Sequence, residues 1–298
     1  LITGATGFKG AWLCSWLIKL GAKVSGVGFS PNENKNLFYQ LNLNRKINFK
    51  IFDIRNYNKL EKFIKKTKPS IVFHMAAQPL IFRSYKDPYL TFTVNYLGST
   101  NIMEIARKFK FIKSVVLITT DKVYESSGQT KGFKETDLLG GKDPYSASKA
   151  AAEMAFMAYR ASFLDERPGI GAASTRAGNV IGGGDWAQNR IIPDCIRALS
   201  TGQPIELRNP LATRPWQHVL DPLSGYLKLA AALLESPKKY GGAWNFGPDV
   251  ETSLSVKEVA DHAIKIWGDG EISISPKADS VFEHGLLQLC IDKAKLEL

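Results

Sequence analysis

Long apolar runs, cysteines and targeting signals are scarce or absent in this sequence of 298 residues. No run of about 18 apolar residues occurs, which argues against a membrane-spanning helix and predicts no membrane partner. The three cysteines (Cys14, Cys195 and Cys290) are widely spaced and match no metal-ligand pattern, so we expect no metal site. We interpret them as reduced, buried thiols of a cytoplasmic protein. The opening residues LITGATG resemble the end of a strand rather than a signal peptide, so we expect residues to precede Leu1.

Acidic residues are the scarcer charged class, with 28 Asp and Glu against 39 Lys and Arg and a net charge of +11. The basic residues are scattered and form no long block. No helix-turn-helix, zinc-finger or aromatic RNA-binding signature accompanies them, so we do not expect a nucleic-acid partner. The excess is interpreted as a solvated basic surface, with attraction of an anionic substrate as the functional alternative.

Apolar segments alternate with segments of helical periodicity over the first 180 residues. This alternation is typical of an α/β fold with a doubly wound parallel sheet. Beyond residue 180, loops rich in Gly, Pro, Arg and Trp separate helical stretches. We therefore predict a Rossmann-type domain over residues 1–180. A smaller region over residues 181–298 would cover the carboxyl edge of the sheet, and some of its chain could return to that sheet.

A glycine-rich segment, TGATGFKG, follows the first strand and opens a helix. Small residues at Gly4, Gly7 and Gly10 allow the backbone to approach a pyrophosphate, and the helix N-terminus favours its negative charge. The spacing is GxxGxxG rather than GxGxxG, so the glycines alone are weak evidence. Their position between a strand and a helix predicts dinucleotide binding.

The second strand ends in GVGFSPNENKN, which offers no acidic residue for the adenosine ribose at the usual place. Ser30 and Asn32 stand there instead. No arginine is present for a 2′-phosphate, so the segment favours NAD over NADP.

Three further residues, Asp53, Ala76 and Ala77, come at predicted strand ends, where a ligand crevice belongs. Ordinary strand-to-loop chemistry is the alternative for them. The predicted cofactor site comprises Gly4, Thr6, Gly7, Phe8, Lys9, Gly10, Asp53, Ile54, Ala76, Ala77, Gln78, Tyr145 and Lys149.

Tyr145 and Lys149 in YSASK are four residues apart and so share one helix face. A phenol has an unperturbed pKa of about 10, but an adjacent ammonium and an oxidised nicotinamide both favour the phenolate. Such a tyrosine can remove a proton from an alcohol while hydride leaves the same carbon. A chance pair is the alternative.

With TTDKVYE between them, TGATGFKG and PYSASK occur in an order and spacing that resemble the extended short-chain dehydrogenases/reductases. The resemblance covers essentially the whole chain. Within that group, TRAGNVIGGGDWAQNRIIPDCIRAL and RNPLATRPWQHVLDPLSGYL resemble the CDP-glucose 4,6-dehydratases. This implies a Rossmann domain that carries NAD and a C-terminal region that holds the nucleotide sugar. The implied reaction converts CDP-glucose to CDP-4-keto-6-deoxyglucose and water, with NAD reduced and reoxidised in one turnover.

The resemblance also implies roles for the side chains at the strand end. Tyr145 would take the proton of the carbon 4 hydroxyl, with Lys149 lowering the pKa of that tyrosine and holding the ribose. Thr120 would hydrogen-bond the carbon 4 oxygen, and a protonated Asp121 would deliver a proton to the hydroxyl that leaves carbon 6.

Lys122 stands where related dTDP-glucose dehydratases have a glutamate that acts as the carbon 5 base. A lysine serves as a base only when neutral, against an unperturbed pKa of about 10.4. Lys122 could therefore shuttle the carbon 5 proton, or it could mainly orient cofactor or substrate.

Substrate binding is predicted for Thr120, Asn179, Arg190 and Arg214, since the guanidinium groups suit a pyrophosphate. His74 lies in an apolar strand and is interpreted as a core residue with satisfied hydrogen bonds. Two long helices, over residues 85–108 and 145–163, could pair across a two-fold axis, which predicts a homodimer or a dimer of dimers. The alternatives are another 4,6-dehydratase, a nucleotide-sugar 4-epimerase, or a non-enzymatic NAD-binding regulator of the same fold.

Overall fold

Seven parallel strands form one sheet in the order β11-β6-β5-β4-β1-β2-β3. The computed structural model describes residues 1–29, 36–125, 132–249, 254–274 and 288–298. The strands are β1 (Ile2–Thr3), β2 (Ser25–Gly28), β3 (Asn48–Ile51), β4 (Ile71–His74), β5 (Ser114–Ile118), β6 (Gly171–Ala177), β7 (Val180–Ile181), β8 (Ile205–Leu207), β9 (Thr213–Arg214), β10 (Gln217–His218), β11 (Gly242–Phe246), β12 (Leu254–Ser255) and β13 (Ile272–Ile274).

Helices cover both faces of the sheet, which confirms the predicted doubly wound α/β architecture. They are α1 (Phe8–Lys19), α2 (Leu37–Gln40), α3 (Leu43–Lys46), α4 (Tyr57–Thr67), α5 (Ile81–Lys86), α6 (Pro88–Phe92), α7 (Gly98–Lys108), α8 (Pro144–Tyr159), α9 (Ile191–Ser200), α10 (Leu220–Glu235), α11 (Pro237–Tyr240), α12 (Val256–Trp267) and α13 (Asp292–Glu297).

The order of the strands reverses between β1 and β4, because the chain proceeds from β1 to β2 and β3 and then crosses back. Adjacent loops diverge at such a switch point and leave a crevice at the carboxyl ends of the strands. Every residue of β5 and β6 is buried, as expected for parallel strands covered on both faces. β6 begins with small residues, and a Cβ on Gly171 would lie 2.8 Å from the Leu233 side chain of α10. The close approach of α10 therefore requires glycine there.

The predicted long helix after β4 is continuous but contains a π-helical turn over Thr93–Leu97. Asn95 in this turn is fully buried. Its Oδ1 accepts the Gln78 backbone N–H (2.8 Å), and its Nδ2 donates to Ser148 Oγ of α8 (2.9 Å). The π turn thus directs the Asn95 amide inward, where it connects the loop after β4 to α8.

A buried ion pair joins α8 to β6. Arg176 Nη2 lies 3.0 Å from Glu153 Oε2, and the two side chains are 1% and 0% exposed. Glu153 also accepts hydrogen bonds from the hydroxyls of Thr119 (2.5 Å) and Ser174 (2.7 Å). Arg176 donates in addition to the phenol oxygen of Tyr124 (2.8 Å). The pair therefore fixes α8 against the carboxyl ends of β5 and β6.

The C-terminal third of the chain contributes both to a small cluster beside the sheet and to the main sheet itself. α9, α12, β8 and β13 share a small apolar cluster beside the carboxyl edge of the sheet. Residues 220–246 instead return to the main sheet, where α10 packs on one face and β11 pairs with β6. The proposed boundary at residue 180 stays a prediction.

Two of the three cysteines are buried as predicted, but the prediction is wrong for Cys290, which is half-exposed. Its thiol donates a hydrogen bond to Asp292 Oδ2 at 3.3 Å. Among the described residues, no group of three or more His, Cys, Asp or Glu is placed to hold a metal ion. No helix in the described parts of the chain is long and apolar enough to cross a membrane.

Candidate active site

An open cleft of about 1580 Å³ lies at the carboxyl edge of the sheet and is closed on its far side by α9 and the loops around β8 and β9. All nineteen residues predicted from the sequence to form the site line this cleft. The structure thus brings them together. The individual roles that the sequence analysis gave them stay predictions.

The glycine turn after β1 forms one end of the cleft. Gly4 has a φ of +72°, a left-handed conformation that favours glycine. The Gly7 N–H donates to the Gly4 carbonyl at 2.9 Å, and α1 begins at the next residue. A Cβ on Gly10 would lie 2.1 Å from the Gly4 carbonyl oxygen, so this turn closes only with glycine. The turn and the α1 N-terminus form a compact backbone cradle that fits a pyrophosphate.

The edge of the cleft beside β2 is held by polar contacts of the same turn. The Thr6 hydroxyl donates to the Phe29 carbonyl at 2.9 Å, and the Asn36 amide donates to the Thr6 carbonyl at 2.9 Å. Ser30 and Asn32, on which the preference for NAD over NADP was based, lie outside the described residues.

Asp53 follows β3 and forms a bidentate ion pair with Arg55, with Arg55 Nη2 2.7 Å from Asp53 Oδ2. These hydrogen bonds hold the pKa of the Asp53 carboxyl below its usual value. Beside it, the Ile54 carbonyl accepts from the buried Asn101 amide at 3.0 Å. The structure therefore presents Asp53 as an ionised group on the cleft wall with a fixed orientation.

The loop after β4 supplies the wall between the two ends of the cleft. Ala76 packs against the glycine turn so closely that a Cβ on Gly4 would lie 2.7 Å from its nitrogen. Gln78 is buried, and its amide donates to Thr91 Oγ1 at 2.9 Å while its backbone is held by Asn95. Ala77 lines the cleft between them. Small residues here keep the wall thin, and the Gln78 contacts fix its position.

The side chains after β5 and those of α8 meet at the centre of the cleft. The Thr120 hydroxyl donates to Asp121 Oδ1 at 2.9 Å, and the Tyr145 phenol lines the cleft beside them. Lys149 lies one helical turn from Tyr145, and its Nζ donates to the Ile118 carbonyl at 3.0 Å. These four side chains are all at most 8% exposed. An alcohol, a carboxyl, a phenol and an amine are thus gathered in one buried cluster.

Burial is the largest influence on the Tyr145 phenol and raises its pKa to about 12. The Thr120 hydroxyl and the charge of Arg190 act against this rise in pKa, whereas the charge of Asp121 adds to it. We expected the Lys149 ammonium to favour the phenolate. Lys149 Nζ donates to the Ile118 carbonyl, and its effect on the phenol stays a prediction.

Lys122 lies in a short 3₁₀ turn, Asp121–Val123, that Thr120 caps. Its backbone N–H points to Thr120 Oγ1 at 3.4 Å, and its half-buried side chain lines the cleft beside Asp121. The turn therefore directs the side chains of Thr120, Asp121 and Lys122 into the cleft.

Three of the four residues predicted for substrate binding, all but Thr120, lie after β6 in the chain. Asn179 follows β6 and lines the cleft. Arg190, just before α9, forms an ion pair with Asp185 at 2.9 Å. Arg214 is 8% exposed and donates to the Thr213 carbonyl at 2.8 Å. Two guanidinium groups therefore face the sheet edge across the cleft.

Sequence reasoning missed several charged residues of the cleft walls. Ten Lys or Arg and five Asp or Glu side chains line it, so the surface carries an excess of positive charge. Among the cations not predicted are Arg83 and Lys86 of α5 and Arg208, whose guanidinium stacks on the Phe82 ring at 4.6 Å. No local pattern marks these residues, because only the tertiary fold brings α5 opposite the loop after β8.

The prediction for His74 is confirmed. The imidazole is 1% exposed, with Nδ1 2.7 Å from Thr3 Oγ1 and Nε2 3.2 Å from Ser99 Oγ. Burial lowers its pKa to about 3, so it is a neutral core residue.

A parallel sheet with a glycine turn and a buried Tyr–Lys pair at its carboxyl edge defines the class of Rossmann-fold dinucleotide-binding proteins. The model of the family described as "GDP-mannose 4,6 dehydratase" matches residues 1–264. A CDP-glucose 4,6-dehydratase from Salmonella typhimurium is 42% identical, over 100% of this chain and 84% of that protein. The chain therefore belongs to the GDP-mannose 4,6-dehydratase family of extended short-chain dehydrogenases/reductases, as the resemblance implied.

Solved structures share the fold. UDP-glucose 4-epimerase of Thermus thermophilus, crystallised with NAD, has a TM-score of 0.83 at 24% identity and matches 99% of this chain and 91% of its own. A dTDP-glucose 4,6-dehydratase of Streptomyces venezuelae, crystallised with NAD, also has a TM-score of 0.83, at 22% identity, over 100% of this chain and 89% of its own.

The glycine turn gives a direct test of the cofactor end of the cleft. We expect Gly10→Ala to weaken NAD binding by at least about tenfold, because the new methyl group would displace the Gly4 carbonyl and open the cradle. Isothermal titration with NAD measures this. Gly183→Ala is the matched control, since a Cβ there meets nothing within 4 Å. Equal NAD affinity in both variants would contradict the assignment of this turn.

Proposed function

We propose that the protein is an NAD-dependent nucleotide-sugar 4,6-dehydratase that converts CDP-glucose to CDP-4-keto-6-deoxyglucose and water. The observation that carries this proposal is the buried cluster at the centre of the cleft, in which Thr120 donates to Asp121 and Tyr145 lines the same space. The reaction needs a base for an alcohol and an acid for a leaving hydroxyl on adjacent parts of one sugar, and this cluster offers both. The similarity to the Salmonella CDP-glucose 4,6-dehydratase supports the choice of sugar nucleotide.

The residues present fit NAD at the β1 end of the cleft. Gly4, Gly7 and Gly10 hold its pyrophosphate, Asp53 and Ile54 flank the adenosine, and Lys149 holds the nicotinamide ribose. When bound, NAD would supply the hydride chemistry of the reaction, the oxidation at carbon 4 of the sugar and the later reduction at carbon 6. The net positive charge of the cleft also suits a second pyrophosphate, that of the substrate, at Arg190 and Arg214.

The side chains of the cluster divide the proton transfers between them. Tyr145 accepts the proton of the carbon 4 hydroxyl, and Thr120 donates a hydrogen bond to the same oxygen. The ketone that forms acidifies the hydrogen on carbon 5. Asp121 gives a proton to the hydroxyl that leaves carbon 6, and each such transfer contributes about 10²–10⁴ in rate.

Lys122 is our candidate for the carbon 5 base, because it follows Asp121 on the same turn and lines the same space. A lysine in this role cycles between its neutral and charged forms. Its position next to the acid allows Lys122 to remove the proton from carbon 5 while the carbon 6 hydroxyl, protonated by Asp121, leaves as water.

Two variants separate the base from the acid. In D₂O, Asp121→Asn is expected to exchange the carbon 5 hydrogen of CDP-glucose while product formation falls by about 10²–10⁴, because only the departure of water is impaired. Lys122→Met is expected to lose both exchange and product. Mass spectrometry of recovered CDP-glucose measures the exchange. Normal exchange and turnover in Lys122→Met would overturn the base role. Asp165→Asn, in a surface ion pair with Arg160, is the control.

The substrate assignment is tested by a panel of four sugar nucleotides. CDP-glucose, dTDP-glucose, GDP-mannose and UDP-N-acetylglucosamine are incubated separately with the protein and NAD. The absorbance of a 4-keto-6-deoxy product in alkali is then read. We expect product from CDP-glucose at a rate at least tenfold above the other three. Product from only one of the other three sugar nucleotides would reassign the substrate. No product from any of the four would contradict the dehydratase proposal.

We also propose that a second copy of the chain covers the outer face of α6, the π turn, α7 and α8. Large apolar side chains are exposed there, among them Tyr89 (78%), Met154 (56%) and Met157 (47%). Exposed large apolar side chains on neighbouring helices favour an interface, and a two-fold axis would form a four-helix bundle.

Light scattering of the purified protein tests this face, and we expect a dimer or a tetramer. Met154→Lys should shift the mass toward the monomer, because it places a charge in the apolar contact. Ile266→Lys on α12, where Ile266 is 85% exposed, should leave the mass unchanged. A monomeric wild-type protein would contradict the proposal.

A further inference from the structure

The tetrapeptide KDPY occurs twice in the sequence, over residues 86–89 and 142–145. Each copy begins a helix, with the aspartate at the N-cap and the proline at the first helical position. The two tyrosines differ in their surroundings. Tyr89 of α6 is 78% exposed, whereas Tyr145 of α8 is 8% exposed and lines the cleft. The same helix-starting sequence therefore occurs once at the surface and once at the centre of the cleft.

Asp143 accepts the backbone hydrogen bonds that the first turn of α8 has to donate. Pro144 has no N–H. Asp143 Oδ1 accepts the N–H groups of Tyr145 and Ser146, each at 3.0 Å, and its carbonyl accepts that of Ala147 at 2.9 Å. Its Oδ2 also accepts the Ser146 hydroxyl at 2.5 Å. The first N–H groups of a helix have no partner within the helix, so Asp143 holds the turn that carries Tyr145.

The backbone of Tyr145 is also held at its carbonyl. This oxygen accepts the Ser148 hydroxyl at 2.7 Å, and Ser148 Oγ accepts in turn from the buried Asn95 amide at 2.9 Å. Both polar backbone groups of Tyr145 therefore have side-chain partners. The place of the phenol depends on these side chains, because the first turn of a helix has few hydrogen bonds of its own.

The segment that leads into Asp143 is attached to the chain that follows β5. The Gly140 N–H donates to the Val123 carbonyl at 2.7 Å, and Leu139 forms a β-bridge with Tyr124. Val123 is the last residue of the short 3₁₀ turn after β5. Asp143 therefore lies in the connection between that turn and the first turn of α8, the two places that carry the side chains of the buried cluster.

We propose that Asp143 is a positioning residue for the reaction, which holds the first turn of α8 and so keeps the Tyr145 phenol in its place in the buried cluster. This inference rests on the proposed function, in which that phenol accepts the proton of the carbon 4 hydroxyl. Misplacement of a reacting group by about 1 Å can lower a rate by about 10²-fold, because the reacting atoms must be aligned. Loss of the Asp143 contacts would free this turn and displace the phenol.

Steady-state kinetics test the role in turnover. Asp143→Ala is expected to lower kcat for CDP-glucose by at least about tenfold, with KM and the NAD dissociation constant changed by less than about threefold. Asp143→Asn should keep kcat within about threefold of the wild type, because its amide retains one acceptor oxygen and can donate to Ser146. Asp87→Ala, which removes the N-cap of the surface copy, is the matched control and should leave kcat unchanged.

Fluorine NMR measures the position of the phenol without turnover. In protein that carries 3-fluorotyrosine, the resonance of Tyr145 is assigned by its loss in Tyr145→Phe. We expect one narrow line in the wild type, in Asp143→Asn and in Asp87→Ala, and a broadened or divided line in Asp143→Ala. Asp143→Gly removes the same carboxylate at little cost to the helix and should give the same result, which guards against a folding defect in the alanine variant.

Three results would overturn the inference. The first is an unchanged fluorine line and an unchanged kcat in both Asp143→Ala and Asp143→Gly. The second is an equal loss of kcat in Asp87→Ala. The third is a defect in Asp143→Asn as large as that in Asp143→Ala, which would show that the charge rather than the hydrogen bonds is required. If the wild-type protein turns over none of the four sugar nucleotides, the proposed function fails, and the fluorine spectra still decide whether Asp143 positions Tyr145.

Discussion

The buried ion pair between Glu153 and Arg176 holds together the elements that carry the central cluster. Glu153 lies on α8, one turn beyond Lys149 and two beyond Tyr145, and it also accepts from Thr119, the residue before Thr120. Removal of one partner of such a pair leaves an uncompensated buried charge, which costs about 3–5 kcal/mol. That is a large part of the 5–15 kcal/mol that typically separates folded from unfolded states. The spacing of phenol, hydroxyl and carboxyl thus depends on a contact outside the cleft.

Charge is the second constraint on the cleft. Cationic side chains outnumber carboxylates on its walls, and several of the carboxylates, including Asp53 and Asp185, are already paired with arginines. The remaining positive potential suits two pyrophosphates, as the proposed reaction requires. Burial and then the charge of Lys9, one of these cations, lower the pKa of Lys149. The charges that suit the binding of phosphates therefore also change the pKa values within the buried cluster.

Much of the fold followed from local patterns. Alternating apolar and amphipathic segments predicted the parallel sheet and its helices, and the strand ends placed Asp53, Ala76 and Thr120 at one edge. The π turn at Asn95 was missed, because a single inserted residue leaves the apolar periodicity of a long helix nearly unchanged. The pairing of Asp53 with Arg55 was also missed, since residues two apart in a loop meet only if the backbone turns.

The sequence by itself determined the class of fold, the glycine turn and the adjacency of Tyr145 and Lys149. Each of these depends on the spacing of residues within about a dozen positions, because backbone geometry decides which residues share one face of a helix or a strand. Only the tertiary structure decided which cation acts on which group. The charge of Arg190 acts on the Tyr145 phenol, Lys149 Nζ donates to the Ile118 carbonyl, and Lys9 Nζ donates to Tyr226, 217 residues away in the chain. Charges act through space and burial strengthens their effect, so these relations require the packed sheet and its covering helices.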